Sequence, residues 1–236
     1  MDENSRSPRG LPIRQIIPLG RVRRAMAQHM RQSVTQGALS QISREVDLTE
    51  VQTRRAKSPE EWPHSLNVYL MAAVARILPQ HPLLNAELAE DGILVYEPVN
   101  LGMAIAVTDG LIVAVIHEAN RKTIDELAMK ADDLAERARQ GKLSYADIEG
   151  GTFTFSNLGM YDIDGAFPLP RPPEAAILLA GRTRPQPEVL GGEICVREMA
   201  WFNLTYDHRF IDGAAGARFL QDLQALLLDP DILRER

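Results

Sequence analysis

The sequence holds a single cysteine, Cys195, so neither an internal disulfide nor a thiolate zinc site can be built from it. Such usage suits a reducing compartment, and the expected location is the cytoplasm. No apolar run approaches the roughly 18 residues of a membrane span, and no apolar leader opens the chain, so a membrane role is not expected. Excess positive charge is lacking as well. The 26 Lys and Arg face 32 Asp and Glu, giving a net charge of −6, which offers no footprint for nucleic acid. Arginines do crowd the start, from Arg6 through Arg31, but Asp2, Glu3, Pro8 and Pro18 interrupt any early amphipathic helix. That stretch reads as a solvated arm rather than a transit peptide. Internal repeats and low-complexity tracts are also missing.

What remains is enough for one sizeable core, since 45% of the 236 residues are hydrophobic. Residues 1–15, with Pro8, Gly10 and Pro12, are expected to be a flexible arm or linker remnant, and residues 16–236 a single domain. Val22, Ala25, Met26, Met30 and Val34 fall at helical spacing, with Gly37 placed to stop the helix. Ile42, Val46 and Leu48 suggest a half-buried strand. Ser65 is positioned to cap a helix that runs to Pro79.

Period-two apolar residues from Val99 to Val107, the pair Asp109-Gly110, and an apolar run from Leu111 predict a hairpin. Thr123 and Glu126 form a T-x-x-E capping box before an amphipathic stretch ending near Gly141. Further strands are expected over residues 152–156, 175–180 and 199–206, with a turn at Gly191-Gly192, and a last helix over about 213–228. The elements do not alternate as in a doubly wound fold. They predict an α+β class, a two-layer sandwich on a mixed β-sheet.

Two places carry chemistry. His208 lies in Tyr206-Asp207-His208-Arg209-Phe210-Ile211-Asp212-Gly213, where a strand gives way to a helix, and Asp212 stands four residues on. An imidazole with an ordinary pKa of about 6.5 is a natural general base, though a hydrogen-bonded structural histidine at a strand end fits the same pattern. A metal site would need more ligands, and His29, His64, His81 and His117 do not supply them at recognisable spacing, so no metal is expected. Ser156 closes an alternating segment in Gly151-Thr152-Phe153-Thr154-Phe155-Ser156-Asn157-Leu158-Gly159. It reads as a hydroxyl aimed into a cleft or as a turn serine bonded to its own backbone; the G-x-S-x-G elbow of a nucleophile is absent.

These stretches together resemble the catalytic domain of the dihydrolipoamide acyltransferases of 2-oxo acid dehydrogenase complexes. The resemblance begins at residues 17–27 (Ile-Pro-Leu-Gly-Arg-Val-Arg-Arg-Ala-Met-Ala). It continues through His81-Pro82 and Asn85, residues 99–102, 110–113, 138–143, 151–159 and 172–178, to Asp207-His208-Arg209-Phe210-Ile211-Asp212-Gly213. It implies a chloramphenicol acetyltransferase-like fold and a homotrimer with active sites between subunits. His208 is then the general base for a thiol, Ser156 of the neighbour the oxyanion donor, and Asp212 a support of the loop, paired with Arg23. Coenzyme A and a dihydrolipoyl group are the implied thiols. Moving a proton from a thiol near pKa 8.5 to a base near 6.5 is uphill by roughly 2.7 kcal/mol, which concerted attack lessens.

Some positions depart from the family pattern: Ala114, His117, Gly165 and Arg171 stand where other residues are usual, which leaves the acyl group open. No lipoyl domain precedes residue 16, so the lipoyl group is expected in trans or on a missing domain, with a lipoyl domain as partner. The other readings are a stand-alone enzyme that acylates a small amine or alcohol, and a non-catalytic assembly core. The family's larger particles dock through an apolar tail, whereas this sequence ends Leu233-Arg234-Glu235-Arg236, and a free trimer is expected.

Overall fold

A computed structural model describes residues 7–108 and 110–234. Asp109 of the expected Asp109-Gly110 turn, Arg6 with the rest of residues 1–6, and Glu235 and Arg236 lie outside the described residues.

The helices are α1 (Arg21–Gln36), α2 (Thr49–Lys57), α3 (Leu66–Ile77), α4 (Ile124–Arg139) and α5 (Gly213–Leu228). The strands are β1 (Leu39–Asp47), β2 (Ala86–Ala89), β3 (Gly92–Val95), β4 (Leu101–Val107), β5 (Gly110–Ile116), β6 (Phe153–Asn157), β7 (Ala176–Ala180), β8 (Arg184–Leu190) and β9 (Glu193–Asp207). The main sheet runs β1-β9-β7-β6-β4-β5, with β8 beside the first half of β9. It is mixed: β4, β6 and β7 are parallel neighbours, while the pairs β1–β9, β7–β9, β8–β9 and β4–β5 are antiparallel. β2 and β3 form a separate hairpin.

Side chains alternate across the sheet and divide it into two chemical faces. Leu101, Met103, Phe153, Phe155, Leu178, Phe202, Leu204 and Tyr206 point to one side, where they join α3, α4 and α5 in a continuous apolar core. Thr154, Ser156, Asn203, Thr205 and Asp207 occupy the alternate positions and so point to the other face. The expected two-layer α+β sandwich is the architecture observed.

The expected capping box forms: Glu126 N donates to Thr123 Oγ1 at 3.2 Å and Thr123 N to Glu126 Oε2 at 2.8 Å, a cap worth about 1 kcal/mol. Ser65 takes the N-cap position of α3 without a side-chain cap bond. α2, β2, β3 and β8 were not anticipated, and β9 is longer than expected. α2 buries only Val51, so it shows no apolar period to read. β8 contains Pro185 and Pro187, which speak against a strand in sequence, but it lies at the sheet's edge, where a missing N–H is tolerated. β9 begins at Glu193, six residues before the expected start, because Gly191 and Gly192, both at positive φ, join it to β8.

Candidate active site

The last residue of β9 anchors the turn that carries His208. Asp207 accepts from Arg209 Nη2 at 2.6 Å, from Arg209 Nε at 2.9 and 3.0 Å, and from the amide of Arg209 at 3.1 Å. Burial alone would raise the Asp207 pKa, but these bonds outweigh it and hold the carboxyl below its usual range. Between the two, His208 donates its amide to Ala38 O at 2.8 Å. Its ring is exposed and lies 5.7 Å, centroid to centroid, from the buried ring of Tyr206 at 60°. Among the described residues its ring nitrogens have no hydrogen-bond partner.

Asp212 ends the turn as the N-cap of α5, accepting from Ala215 N at 2.7 Å. The pairing of Asp212 with Arg23 is not formed within the chain. α1 is one continuous helix whose C-terminal end adjoins Ala38 and the His208 turn, and its first residues pack at the β4–β5 hairpin. Arg23 Cγ lies 3.9 Å from where a Cβ on Gly110 would sit. At 1.5 Å per residue that separates Arg23 from the turn by about 20 Å.

Ser156 sits half-buried near the end of β6, on the face turned away from α3, α4 and α5. The segment after it is pinned to the end of β7. Leu158 N donates to Ala180 O at 3.0 Å and Arg182 N to Ile163 O at 2.8 Å. The Arg182 guanidinium reaches Asp164 at 2.6 Å and Asp162 at 2.7 Å. A Cβ on Gly181 would fall 1.8 Å from Asp164 O, so only glycine permits this approach. Arg182, Asp162 and Asp164 were missed in the sequence, because ion pairs across separate loops leave no periodic signal.

Within one chain Ser156 and His208 do not meet. Ser156 pairs with Leu179 and Leu179 with Asn203, and His208 lies five residues farther along the chain. Two strand spacings and five strand residues put them about 19 Å apart.

Arg171 has a local role. Its Nη1 donates to Ile148 O at 2.6 Å and its Nε to the wholly buried Glu174 at 3.2 Å, while Thr154 Oγ1 donates to the same carboxyl at 2.5 Å. Burial pushes the Glu174 carboxyl up, against the pull of Arg171 and Thr154. Large apolar side chains remain uncovered near the serine, at Met160, Tyr161, Ile163 and Phe167, and along the first part of the chain at Ile16, Ile17, Leu19, Met26 and Val34. Among the described residues no His, Cys, Asp and Glu side chains gather as a metal cluster, and no helix is long and apolar enough to cross a membrane.

The family described as 2-oxoacid dehydrogenases acyltransferase (catalytic domain) matches residues 12–234. A relative from Rickettsia typhi, the dihydrolipoyllysine-residue succinyltransferase component of the 2-oxoglutarate dehydrogenase complex, is 32% identical over 225 residues, 93% of this chain and 56% of that protein. The chain thus spans a little over half the length of such relatives.

A crystal structure of Azotobacter vinelandii dihydrolipoamide acetyltransferase aligns with TM-score 0.89 and 32% identity over 96% of each chain. That study concerned the catalytic roles of a serine, a histidine fifty-two residues later and an asparagine four beyond it; Ser156, His208 and Asp212 have the same spacing. The cubic core of a pyruvate dehydrogenase multienzyme complex also aligns with TM-score 0.89, at 30% identity and over 96% of each chain. A chloramphenicol acetyltransferase shares the fold at 18% identity and TM-score 0.55, covering 90% of this chain and 99% of that one.

Proposed function

The chain belongs to the 2-oxoacid dehydrogenase acyltransferase catalytic-domain family, and from this we propose that it transfers an acyl group between coenzyme A and the thiol of a dihydrolipoyl group. The observation that carries the reading is the separation of Ser156 from His208 inside one chain. A base and an oxyanion donor about 19 Å apart can serve one carbonyl only if they come from different copies. The proposed unit is therefore a homotrimer, with His208 of one subunit facing Ser156 of the next. The uncovered apolar residues beside Ser156 and along α1 support such an assembly.

The chemistry follows from the two side chains. His208 takes the proton from the thiol as its sulfur attacks the thioester carbonyl. The carbonyl oxygen becomes an oxyanion, and a hydroxyl donor there contributes roughly 3 kcal/mol to the transition state. Collapse expels the other sulfur as a thiolate, which recovers the proton from the imidazolium. Asp207, Arg209 and Asp212 fix the turn from which the imidazole projects. The lipoyl group arrives on a lipoyl domain, and the working compartment is the cytoplasm. The acyl group stays open, since one succinyltransferase relative and one acetyltransferase relative are each 32% identical over 225 residues.

Mixing inactive variants tests this reading. His208→Ala keeps Ser156 and Ser156→Ala keeps His208, so random reassembly of the two restores both groups at about a quarter of the interfaces. Light scattering should give the mass of a trimer or a multiple of it, and the mixture should recover a comparable fraction of the wild-type rate with acyl-CoA and dihydrolipoamide. A monomer, or a mixture that stays inactive after reassembly, refutes the shared site.

A further inference from the structure

A histidine base must have its ring held in one direction, and a carboxylate that accepts from the unreactive ring nitrogen is a common means. Here both carboxylates of the turn are taken by other donors. Asp207 accepts from the guanidinium and the amide of Arg209, and Asp212 from Ala215 N at 2.7 Å. The group that does meet the imidazole of His208 is the ring of Tyr206, 5.7 Å away between centroids and tilted by 60°. Aromatic rings at such a separation and steep angle attract each other edge to face.

Packing makes the Tyr206 ring the fixed member of this pair. It is buried in the continuous core, and its backbone pairs with Ser40 of β1 on one side and Ala176 of β7 on the other. Helix α5 lies directly on it through glycines: a Cβ on Gly216 would stand 3.3 Å from Tyr206 Cε1, and one on Gly213 3.7 Å from the phenol oxygen. His208, in contrast, is exposed. The contact therefore orders the imidazole, whose two side-chain torsions are otherwise free, and not the phenol.

We propose that Tyr206 is a positioning residue for His208, the rigid ring against which the imidazole is set so that one nitrogen faces the thiol. The inference rests on the acyltransferase reading for the reaction it serves, while the ring contact itself stands apart from that reading. Tyr206 touches no reacting atom and acts only through the direction of the base. Its aromatic ring carries the effect rather than its hydroxyl, since no hydrogen bond joins that hydroxyl to the imidazole among the described residues.

Three variants test the assignment. Tyr206→Met fills most of the volume without a π system, Tyr206→Phe restores the ring without the hydroxyl, and Phe202→Met makes a similar change in the same core four residues back along β9. With acyl-CoA and dihydrolipoamide, Tyr206→Met should lose roughly tenfold in kcat at unchanged KM, the upper scale of one aromatic pair. Tyr206→Phe should rescue most of that loss, and Phe202→Met should keep the wild-type rate. Isotope-labelled histidine reports the ring directly. The His208 resonance, identified by its loss in His208→Gln, should move in Tyr206→Met toward the position of a free histidine and hold in Tyr206→Phe. Equal losses in Tyr206→Met and Phe202→Met, no rescue by Tyr206→Phe, or a His208 resonance unmoved by Tyr206→Met overturns the proposal. If wild-type protein transfers no acyl group to any thiol, the acyltransferase reading itself falls, and the resonance alone decides whether Tyr206 sets the ring. If Tyr206→Met does not fold, nuclear Overhauser contacts between the two rings in wild type and Tyr206→Phe decide instead: their presence supports the assignment and their absence overturns it.

Discussion

Arg209 folds back past His208 and grips the carboxylate of Asp207 at 2.6 Å, so the two neighbours of the proposed base are tied to each other, while the amide of His208 itself donates to Ala38 O. The arginine is 41% exposed but the Asp207 side chain only 9%, so removing the guanidinium leaves a nearly buried carboxylate without its partner. Arg209→Met should therefore lower the melting temperature and also lower kcat, by at least roughly tenfold in the folded protein, because the imidazole loses its fixed platform. Equal rates for variant and wild type would remove the pair from the site.

His208→Ala should abolish acyl transfer. Ser156→Ala should lower kcat about a hundredfold or more while acyl-donor affinity, read by calorimetry, stays near normal. A serine variant with full turnover would show that the oxyanion is stabilised elsewhere.

Gly165 and Asn203 share one volume. A Cβ on Gly165 would lie 2.9 Å from Asn203 Nδ2, and that side chain cannot swing freely, because its Oδ1 accepts from Ser43 at 2.8 Å and from Gln41 at 3.1 Å. Gly165→Ala should destabilise by about 1–3 kcal/mol. Gly165→Ala/Asn203→Ser should recover most of that loss, as measured by urea unfolding; additive losses would mean that the two positions are uncoupled.

His81 makes stability depend on pH. Burial lowers its pKa from 6.5, helped slightly by Arg218 and opposed by Asp222, whose Oδ2 lies 3.0 Å away. Below about pH 6.5 the unfolded chain gains a proton that the folded chain resists, so stability should fall with acidity from that point down to the lowered folded value. Urea unfolding at pH 7.5 and 5.5 should show this slope, and His81→Gln should flatten it. An unchanged slope in the variant would assign it to other groups.

The departure at Arg171 illustrates what sequence reading can and cannot reach. As a residue it stood out, but its meaning waited for the buried Glu174 and the carbonyl of Ile148, which reach it across separate loops. The same holds for Arg182 with Asp162 and Asp164. Periodicity reports which face of an element is apolar and says nothing about which loop meets which. β8 and α2 were hidden for related reasons, one by its prolines and the other by its scarcity of apolar residues.

From residue order alone came the α+β class, the hairpin at β4 and β5 and the capped helix α4, because each rests on local spacing that the backbone turns directly into geometry; His208, Ser156 and Asp212 stood out as candidates whose roles came from the family resemblance. The three-dimensional arrangement alone decided that Arg23 lies at the far end of α1 from Asp212 and that the serine and histidine of one chain stand about 19 Å apart. Those relations depend on strand order and on how α1 crosses the sheet, which long-range packing sets and no short stretch of residues encodes.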